Sequence, residues 1–237
     1  MADHPEIAIL ELTNHGTNRD FQTLFSMPNI SIAWVKPQDY KGGAKLIILP
    51  GSSRSVADYL ELVANGGREL LESHLSQGGS IFGMCGGLQI LSSEMYDPGL
   101  TQGDVPYVKT LGLINGFTVF GPTMISTTVR AELIAPCKGI VGGVERRSGY
   151  TVFNDAGFTP LAHIIERKYD DGQTQPAARQ LDLTGGAGDL LKAQWAPGGE
   201  SIDGLVSNDR RIWVSYIHLL LTNSGFLEQF LPIVLAS

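Results

Sequence analysis

Residues 81–89 of the chain read Ile-Phe-Gly-Met-Cys-Gly-Gly-Leu-Gln. An apolar run that meets a cysteine between glycines predicts a strand, a sharp turn and a helix in direct succession. Gly83 and Gly87, two positions before and two after Cys85, provide the small side chains that such a tight turn requires. We therefore predict a strand-to-helix elbow with Cys85 at its tip, where folds of this kind hold a nucleophile.

The elbow belongs to a run of alternating strands and helices. Apolar segments predict four buried strands, and segments with apolar residues at helical spacing predict the helices that connect them. The predicted strands span 7–12, 30–35, 45–49 and 80–84, and the helices span 20–26, 55–63, 68–76 and 86–95. This alternation indicates a three-layer α/β fold, with a mostly parallel, flavodoxin-like central sheet flanked by helices and with ligand sites at the carboxyl ends of its strands.

The pattern changes after Gly112. Alternating β-branched and polar residues occur over 117–120, 125–131 and 149–153. Such alternation is typical of strands with one face buried and one face in water. We therefore predict antiparallel strands that are added to the parallel sheet.

The last third of the chain contains a segment without periodicity. Residues 169–200 are rich in Gly, Asp, Gln and Pro and predict an excursion or mobile loop, with Leu190–Trp195 as a returning strand. A strand over 211–217 and a helix over 224–235 close the chain. We expect one domain over residues 1–237.

Composition and charge exclude several classes of protein. The chain has 17 Lys and Arg against 24 Asp and Glu, a formal net charge of −7. The basic residues are scattered, so we expect neither nucleic acid nor a membrane as a partner. No apolar run approaches the ~20 residues of a spanning helix, and the acidic start differs from a secretory signal. With only Cys85 and Cys137 present, we expect free thiols and a cytoplasmic location.

Cys85 has two interpretations. At a helix N-terminus, the macrodipole and the free amides favour a thiolate, which is the nucleophilic form. The alternative is a buried structural cysteine, because free cysteine is among the most buried residues. The flanking glycines favour the nucleophile.

Attack on an amide also requires a proton donor for the leaving amine, and histidine is the usual one. His218 ends an apolar run over 213–217, and we expect it at the carboxyl edge of the sheet with Cys85. The alternative is a hydrogen-bonded core histidine. The other histidines, which we expect to be structural or solvated, are His4, His15, His74 and His163.

A developing oxyanion requires backbone amides as donors, and two sources are predicted. One is the N–H of Gly86, directly after the nucleophile, and the other is the stretch Gly51-Ser52 at the end of the preceding strand. That stretch could equally be only a turn. Phosphate-loop, His-Glu-x-x-His and Cys-x-x-Cys motifs are absent from the sequence, so we predict neither a metal nor another cofactor.

Two motifs are specific, Cys85-Gly86-Gly87-Leu88-Gln89 and Tyr216-Ile217-His218. With them the chain resembles the class I, triad-type glutamine amidotransferase domains, in the cobyric acid synthase-like branch. Weaker matches extend the resemblance over nearly the whole chain. They are Asn18-Arg19-Asp20-Phe21, Ile48-Leu49-Pro50-Gly51-Ser52, Ala57-Asp58-Tyr59-Leu60, Asp97-Pro98, Leu111-Gly112-Leu113 and Gly149-Tyr150.

The resemblance implies a glutaminase. Glutamine would form a γ-glutamyl thioester on Cys85, His218 would act as acid and base, and Gln89 and Ser52 would bind the substrate. The ammonia would pass to an ATP-dependent synthetase or ligase on a separate chain.

Two departures from the family pattern concern the orientation of His218. The branch has glycine after the histidine, where this chain has Leu219. The wider class has an orienting glutamate two residues after the histidine, where this chain has Leu220. The orienting carboxylate therefore either comes from elsewhere, with Asp155 and Glu145 as unranked candidates, or is missing.

Two alternatives to a glutaminase remain. Thr151 and Phe153 replace a glutamate and a histidine of the branch, which favours a degenerate domain with a binding or regulatory role. The elbow also suits a γ-glutamyl peptidase-type cysteine hydrolase. Gln89 favours the glutaminase over the peptidase, since a buried amide one helical turn after the nucleophile suits a substrate that carries an amide.

Overall fold

The computed structural model of the protein describes residues 4–16, 18–154, 156–169, 174–175 and 202–236. Their strands join a single sheet of 13 strands. The strands are β1 Ile7–Leu10, β2 Ile32–Val35, β3 Leu46–Leu49, β4 Ser80–Met84, β5 Glu94–Tyr96, β6 Tyr107–Lys109, β7 Gly116–Leu133, β8 Gly139–Phe153, β9 Phe158–Tyr169, β10 Thr174–Gln175, β11 Ile202–Ser207, β12 Ile212–Ser215 and β13 Ile217–His218. The helices are α1 Gln22–Phe25, α2 Ser55–Ala64, α3 Gly67–Ser76, α4 Gly86–Leu91 and α5 Ser224–Val234.

Five strands form a parallel core in the order β2-β1-β3-β4-β12. Numbered along the chain, this order is 2-1-3-4-5, which is the flavodoxin-like order. Every residue of β1, β3 and β4 is buried, as expected of strands covered on both faces. The predicted α/β fold with a flavodoxin-like sheet is therefore confirmed.

Helices α4 and α5 cover opposite faces of β4, because successive strand residues point to opposite sides. On one face, a Cβ at Gly83 would lie 2.6 Å from Cδ1 of Leu91 in α4. On the other face, the ring of Phe82 meets that of Phe230 in α5, with 5.5 Å between centroids. Trp213, the partner of Phe82 on β12, packs on Phe230 as well. The sheet therefore lies between two helical layers.

The antiparallel strands extend the core beyond β12, in the order β12-β11-β9-β7-β8-β13. This confirms the predicted addition, but β7 is one strand of 18 residues where two were predicted. The register with β8 shifts between Phe120 and Ile125, an irregularity that interrupts the pairing without ending the strand.

The predicted strand over 211–217 is divided at Tyr216. Before it, β12 pairs in parallel with β4, and after it β13 pairs antiparallel with β8. The antiparallel part of the sheet begins beside β12 and ends with β13. Only Tyr216 separates these two strands in the sequence. This bend directly precedes His218.

Several predicted boundaries were wrong. The helix predicted over 86–95 ends at Leu91, because the Ser92 hydroxyl donates to the Gln89 carbonyl (2.6 Å) and competes with the next helical turn. The chain then continues as β5. The helix predicted over 20–26 is a 3-10 turn over Asn18–Phe21 followed by α1.

Part of the predicted excursion cannot be compared with the structure. Leu190–Trp195 lies outside the described residues, and β11 was not predicted. Within the described residues, no helix is long and apolar enough to cross a membrane.

Candidate active site

The carboxyl ends of four core strands meet at one edge of the sheet and border a cavity of about 600 Å³. Asp20 follows β1, Gly51 follows β3, Cys85 follows β4 and His218 ends β13, just beyond β12. All four residues line the cavity. The structure therefore brings together the predicted Cys85, His218 and Gly51, and it adds Asp20.

Cys85 occupies the predicted elbow. Its backbone has φ 49° and ψ −104°, a conformation that is sparsely populated for a residue with a side chain and that clusters at active sites. Its N–H donates to the carbonyl of Ser215 (2.8 Å), and its thiol donates to the carbonyl of Arg146 (3.4 Å). A Cβ at Gly87 would lie 2.2 Å from the Leu49 carbonyl oxygen, so the turn has no room for a larger residue there.

His218 lies between a thiol and a carboxylate. Its Nδ1–H donates to Asp20 Oδ2 (2.9 Å), and the ring lies beside Cys85, since a Cβ at Gly51 would be 3.0 Å from His218 Cε1 and 3.6 Å from Cys85 Cβ. Burial alone would lower the pKa of His218. The hydrogen bonds and the charges of Asp20 and Cys85 outweigh burial and raise this pKa from 6.5 to about 10. The arrangement favours the protonated imidazolium of His218 at neutral pH.

Asp20 supplies the carboxylate that the sequence analysis sought. It is 3% exposed, and its second oxygen accepts the Leu219 N–H (2.6 Å). Leu220, at the position of the family glutamate, is fully buried in the apolar core. A signal for Asp20 was present in the sequence, since it follows a parallel strand within one of the quoted motifs, but its contact with His218 was not predicted.

The sequence had suggested Asp155 and Glu145 as candidates for the carboxylate that orients His218. Asp155 lies outside the described residues. Glu145 is 1% exposed and accepts from Nε and Nη2 of Arg167, at 2.7 and 3.0 Å. Arg147 Nη2 lies 3.8 Å from the same carboxylate. Glu145 is thus committed to two guanidinium groups, and the suggestion that it orients His218 was wrong.

One backbone amide of the Gly51-Ser52 stretch faces the elbow. Gly16 N–H donates to the Gly51 carbonyl (2.9 Å) and Ser53 N–H donates to the Asn14 carbonyl (3.0 Å), so these groups point away from the elbow. Alternate amides of an extended segment point to opposite sides. The Ser52 N–H is therefore directed at the elbow, and a Cβ at Gly86 would lie 2.5 Å from that nitrogen.

Gln89 and Ser52 both line the cavity but are held by protein groups. The Gln89 amide accepts from Ser55 Oγ (2.6 Å) and donates to the Tyr216 hydroxyl (3.2 Å). The Ser52 hydroxyl donates to Asp58 Oδ2 (2.5 Å). Their role in substrate binding stays a prediction.

Three arginines contribute to the cavity wall, namely Arg19, Arg146 and Arg147. The Arg147 guanidinium lies 4.4 Å from the ring centroid of Tyr150 and 4.8 Å from that of Tyr216, at cation–π distance. Such a wall suits a substrate with a carboxylate. Over the described ranges, no group of three His, Cys, Asp or Glu side chains could hold a metal ion.

Most of the chain matches a known protein family. The model of the CobB/CobQ-like glutamine amidotransferase domain matches residues 6–226. Cobyric acid synthase of Gloeobacter violaceus is 31% identical over 226 residues, which are 95% of this chain and 38% of the relative. Cobyric acid synthase of Moorella thermoacetica is 29% identical over 237 residues, 99% of this chain and 41% of the relative. The chain thus spans about two fifths of the length of these relatives.

Solved structures with the same fold were also found. A crystal structure of a glutamine amidotransferase superposes with a TM-score of 0.63 at 17% identity, over 98% of this chain and 100% of the other. PurLQS from Thermotoga maritima superposes with a TM-score of 0.60 at 15% identity, over 96% of this chain and 98% of the other. At these identities the likeness concerns the fold alone.

Proposed function

The chain belongs to the family of CobB/CobQ-like glutamine amidotransferase domains, and we propose that it hydrolyses glutamine to glutamate and ammonia at Cys85. The observation that carries the proposal is the arrangement of Cys85, His218 and Asp20 at the edge of the parallel sheet, in which His218 lies beside Cys85 and is hydrogen-bonded to Asp20. A nucleophile, a base in contact with it and a third group that orients the base are the parts that covalent hydrolysis of an amide requires.

The first half-reaction releases ammonia. The Cys85 thiolate attacks the γ-carbonyl carbon of glutamine, and the carbonyl oxygen becomes an oxyanion next to the amides of Gly86 and the Gly51-Ser52 stretch. His218 gives its proton to the leaving nitrogen, the C–N bond breaks, and a γ-glutamyl thioester remains on Cys85.

The second half-reaction restores the thiol. Neutral His218 removes a proton from water, and the resulting hydroxide attacks the thioester carbonyl. The C–S bond breaks, glutamate leaves, and the proton stays on His218 beside the regenerated thiolate. Asp20 keeps the Nδ1–H in place through both halves, so that Nε2 faces the reaction.

The arginines of the cavity lining support glutamine as the substrate. The α-carboxylate of glutamine can pair with the arginines of the cavity, while Gln89 and Ser52 line the region beside Cys85. We further propose that the ammonia serves an ATP-dependent synthetase or ligase on a separate chain, and that the reaction takes place in the cytoplasm. Two free cysteines in the described residues support a reducing compartment.

The direct test measures glutamate released from glutamine by the wild type, Cys85→Ala and Cys137→Ala. Cys85→Ala is expected to abolish release, and Cys137→Ala, which changes a fully buried thiol, is expected to retain it. A glutamine-analogue electrophile should add once to the wild type and to Cys137→Ala, and not to Cys85→Ala, by intact mass. A folded wild type with no release and no adduct would instead favour a degenerate domain with a regulatory role.

A further inference from the structure

A buried carboxylate contacts the segment that joins β12 to β13, just before His218. Asp203, on β11, is 2% exposed and lies outside the lining of the cavity. The Ser215 hydroxyl donates to its Oδ2 (2.5 Å), and the Tyr216 N–H donates to its Oδ1 (2.9 Å). One carboxylate thus holds both residues of the bend between β12 and β13.

This bend fixes both reacting groups. The Ser215 carbonyl accepts the N–H of Cys85 (2.8 Å), which fixes the backbone of the nucleophile. The Ser215 hydroxyl accepts the N–H of Ile217 (2.9 Å), one residue before His218. A change at the bend would therefore move Cys85 and His218 relative to each other.

The backbone of β11 is adapted to this contact. Gly204, next to Asp203, has φ +65°, and a Cβ there would lie 2.1 Å from the Val214 carbonyl oxygen. Glycine permits both the positive φ and the close approach. The Asp203-Gly204 pair brings the carboxylate within reach of the bend.

We propose that Asp203 is a positioning residue, whose ionised carboxylate holds the Ser215-Tyr216 bend so that Cys85 and His218 keep their reacting geometry. The inference rests on the proposed glutaminase function but concerns a residue that touches no reacting atom. An ionised carboxylate accepts both hydrogen bonds of the bend, whereas a protonated carboxyl is itself a donor. Positioning therefore depends on the ionisation of Asp203.

The surroundings of Asp203 bring this ionisation close to neutral pH. Burial and the charge of Glu145 raise the pKa of Asp203 from 3.8 to about 6, against the two hydrogen bonds of the bend and the charge of Arg147. The carboxylate is ionised above about pH 6 and takes up a proton as the pH falls through that value. The bend is thus fixed at neutral pH and released in acid.

The charged groups that act on Asp203 are Glu145 and Arg147, and Tyr216 is the titratable residue of the bend. Burial raises the pKa of Tyr216 to about 12, so its hydroxyl stays neutral. The register partner of Asp203 on β9 is Ala162. Arg167 holds Glu145 ionised through two hydrogen bonds.

The test follows the rate at which iodoacetamide alkylates Cys85 in the full chain between pH 5 and 8, by mass spectrometry of the labelled peptides. The wild-type rate is expected to show an inflection near pH 6 that Asp203→Asn lacks. Asp203→Asn is also expected to react about 10- to 100-fold more slowly at pH 7.5, as for a misplaced reacting group. Asp209→Asn, at a half-exposed aspartate between β11 and β12, should keep the wild-type profile.

A second variant and a second cysteine make the outcome decisive. Ser215→Ala removes the hydroxyl contact by a smaller change and should slow the alkylation of Cys85 in the same direction. Alkylation of the fully buried Cys137 reports unfolding in the same samples. If Asp203→Asn does not fold, Ser215→Ala decides the question.

The two hypotheses fail in different ways. Folded variants that both keep the wild-type alkylation profile would overturn the positioning role, whether or not the chain hydrolyses glutamine. An altered profile in a chain that releases no glutamate would support the positioning role and count against the glutaminase.

Discussion

Asp20 and Glu145 are both buried carboxylates close to the strand of His218, yet their partners differ. Asp20 accepts from one imidazole and one backbone amide and borders the cavity. Glu145 stands opposite Ile217 in the β8–β13 register and accepts from a guanidinium group, with a second one 3.8 Å away. The charge of Asp20 acts on the imidazole of His218, whereas the charge of Glu145 is balanced by the guanidinium groups of Arg167 and Arg147.

Under the proposed function, the difference separates a carboxylate that serves chemistry from one that serves the fold. The partners of Asp20 leave its negative charge to act on His218, whose pKa is raised in consequence. Burial alone would raise the pKa of Glu145, but the charges of Arg147 and Arg167 and the hydrogen bond from Arg167 lower it. A buried carboxylate near a histidine is therefore not in itself its orienting partner.

Replacement of Asp20 should produce the largest loss of activity. In Asp20→Asn, the amide nitrogen faces His218 Nδ1, so the imidazole would carry its proton on the wrong nitrogen. By analogy with other triads we expect kcat for glutamine to fall by about 10²- to 10⁴-fold. Glutamate release by Asp104→Asn, at a fully exposed aspartate, provides the control. A decrease below tenfold would remove Asp20 from the proposed machinery.

Replacement of Glu145 should instead act on stability. Glu145→Gln leaves Arg167 and Arg147 buried without their counter-charge, which costs about 3–5 kcal/mol in comparable buried pairs. Urea unfolding should show this loss, while the glutaminase rate of the protein that remains folded changes little. If Glu145→Gln abolished turnover at unchanged stability, the two carboxylates would have exchanged roles.

The pH dependence of the free energy of unfolding tests the raised pKa of His218, the residue that Asp20 contacts. In the unfolded chain His218 titrates near 6.5, and in the folded chain its pKa is about 10. Between these values the folded state holds the extra proton, so this contribution is complete below pH 6.5 and is lost as the pH rises through 10.

We therefore expect a decrease of a few kcal/mol in the free energy of unfolding from pH 6.5 to 10, measured by urea titration. His218→Asn lacks this titration and should show a smaller decrease. Parallel curves for the two proteins would mean that the interactions of His218 with Asp20 and Cys85 do not raise its pKa.

Local patterns predicted much of the parallel core and of the elbow. The buried strands are short apolar runs, and the Gly83 to Gly87 spacing identifies the turn at Cys85 without knowledge of any other segment. His218 could be identified because it ends an apolar run at the edge where site residues collect. Each of these features depends on a few residues that are neighbours in the sequence, so a local pattern is enough to predict it.

The features that were missed depend on distant contacts. Asp20 lies 198 positions from His218, and β3 and β4 stand in the sheet between β1, which precedes Asp20, and β12, which precedes His218. The bend at Tyr216 is a change of strand partner, which an uninterrupted apolar run does not reveal. Glu145 is polar and near His218 in the sheet, but only the three-dimensional structure shows the arginines that neutralise it.

The smallest expected effect concerns Leu219, whose N–H donates to Asp20. Leu219 has φ 66° and ψ 5°, a left-handed conformation that costs a residue with a side chain about 1–2 kcal/mol. Glycine adopts this conformation without that cost. We expect Leu219→Gly to be more stable than Leu219→Ala by about 1 kcal/mol, the reverse of the usual order in regular structure.

Both variants retain the backbone N–H that Asp20 accepts, so both should keep glutaminase rates close to that of the wild type. Urea unfolding of Leu219→Gly and Leu219→Ala under the same conditions measures this difference in the free energy of unfolding. Both variants lose nearly the same side chain, so the comparison isolates the effect of the backbone conformation. A more stable Leu219→Ala would mean that the backbone at this position relaxes out of the left-handed region. The Asp20 contact, which depends on that backbone, would then be weaker than the 2.6 Å hydrogen bond indicates.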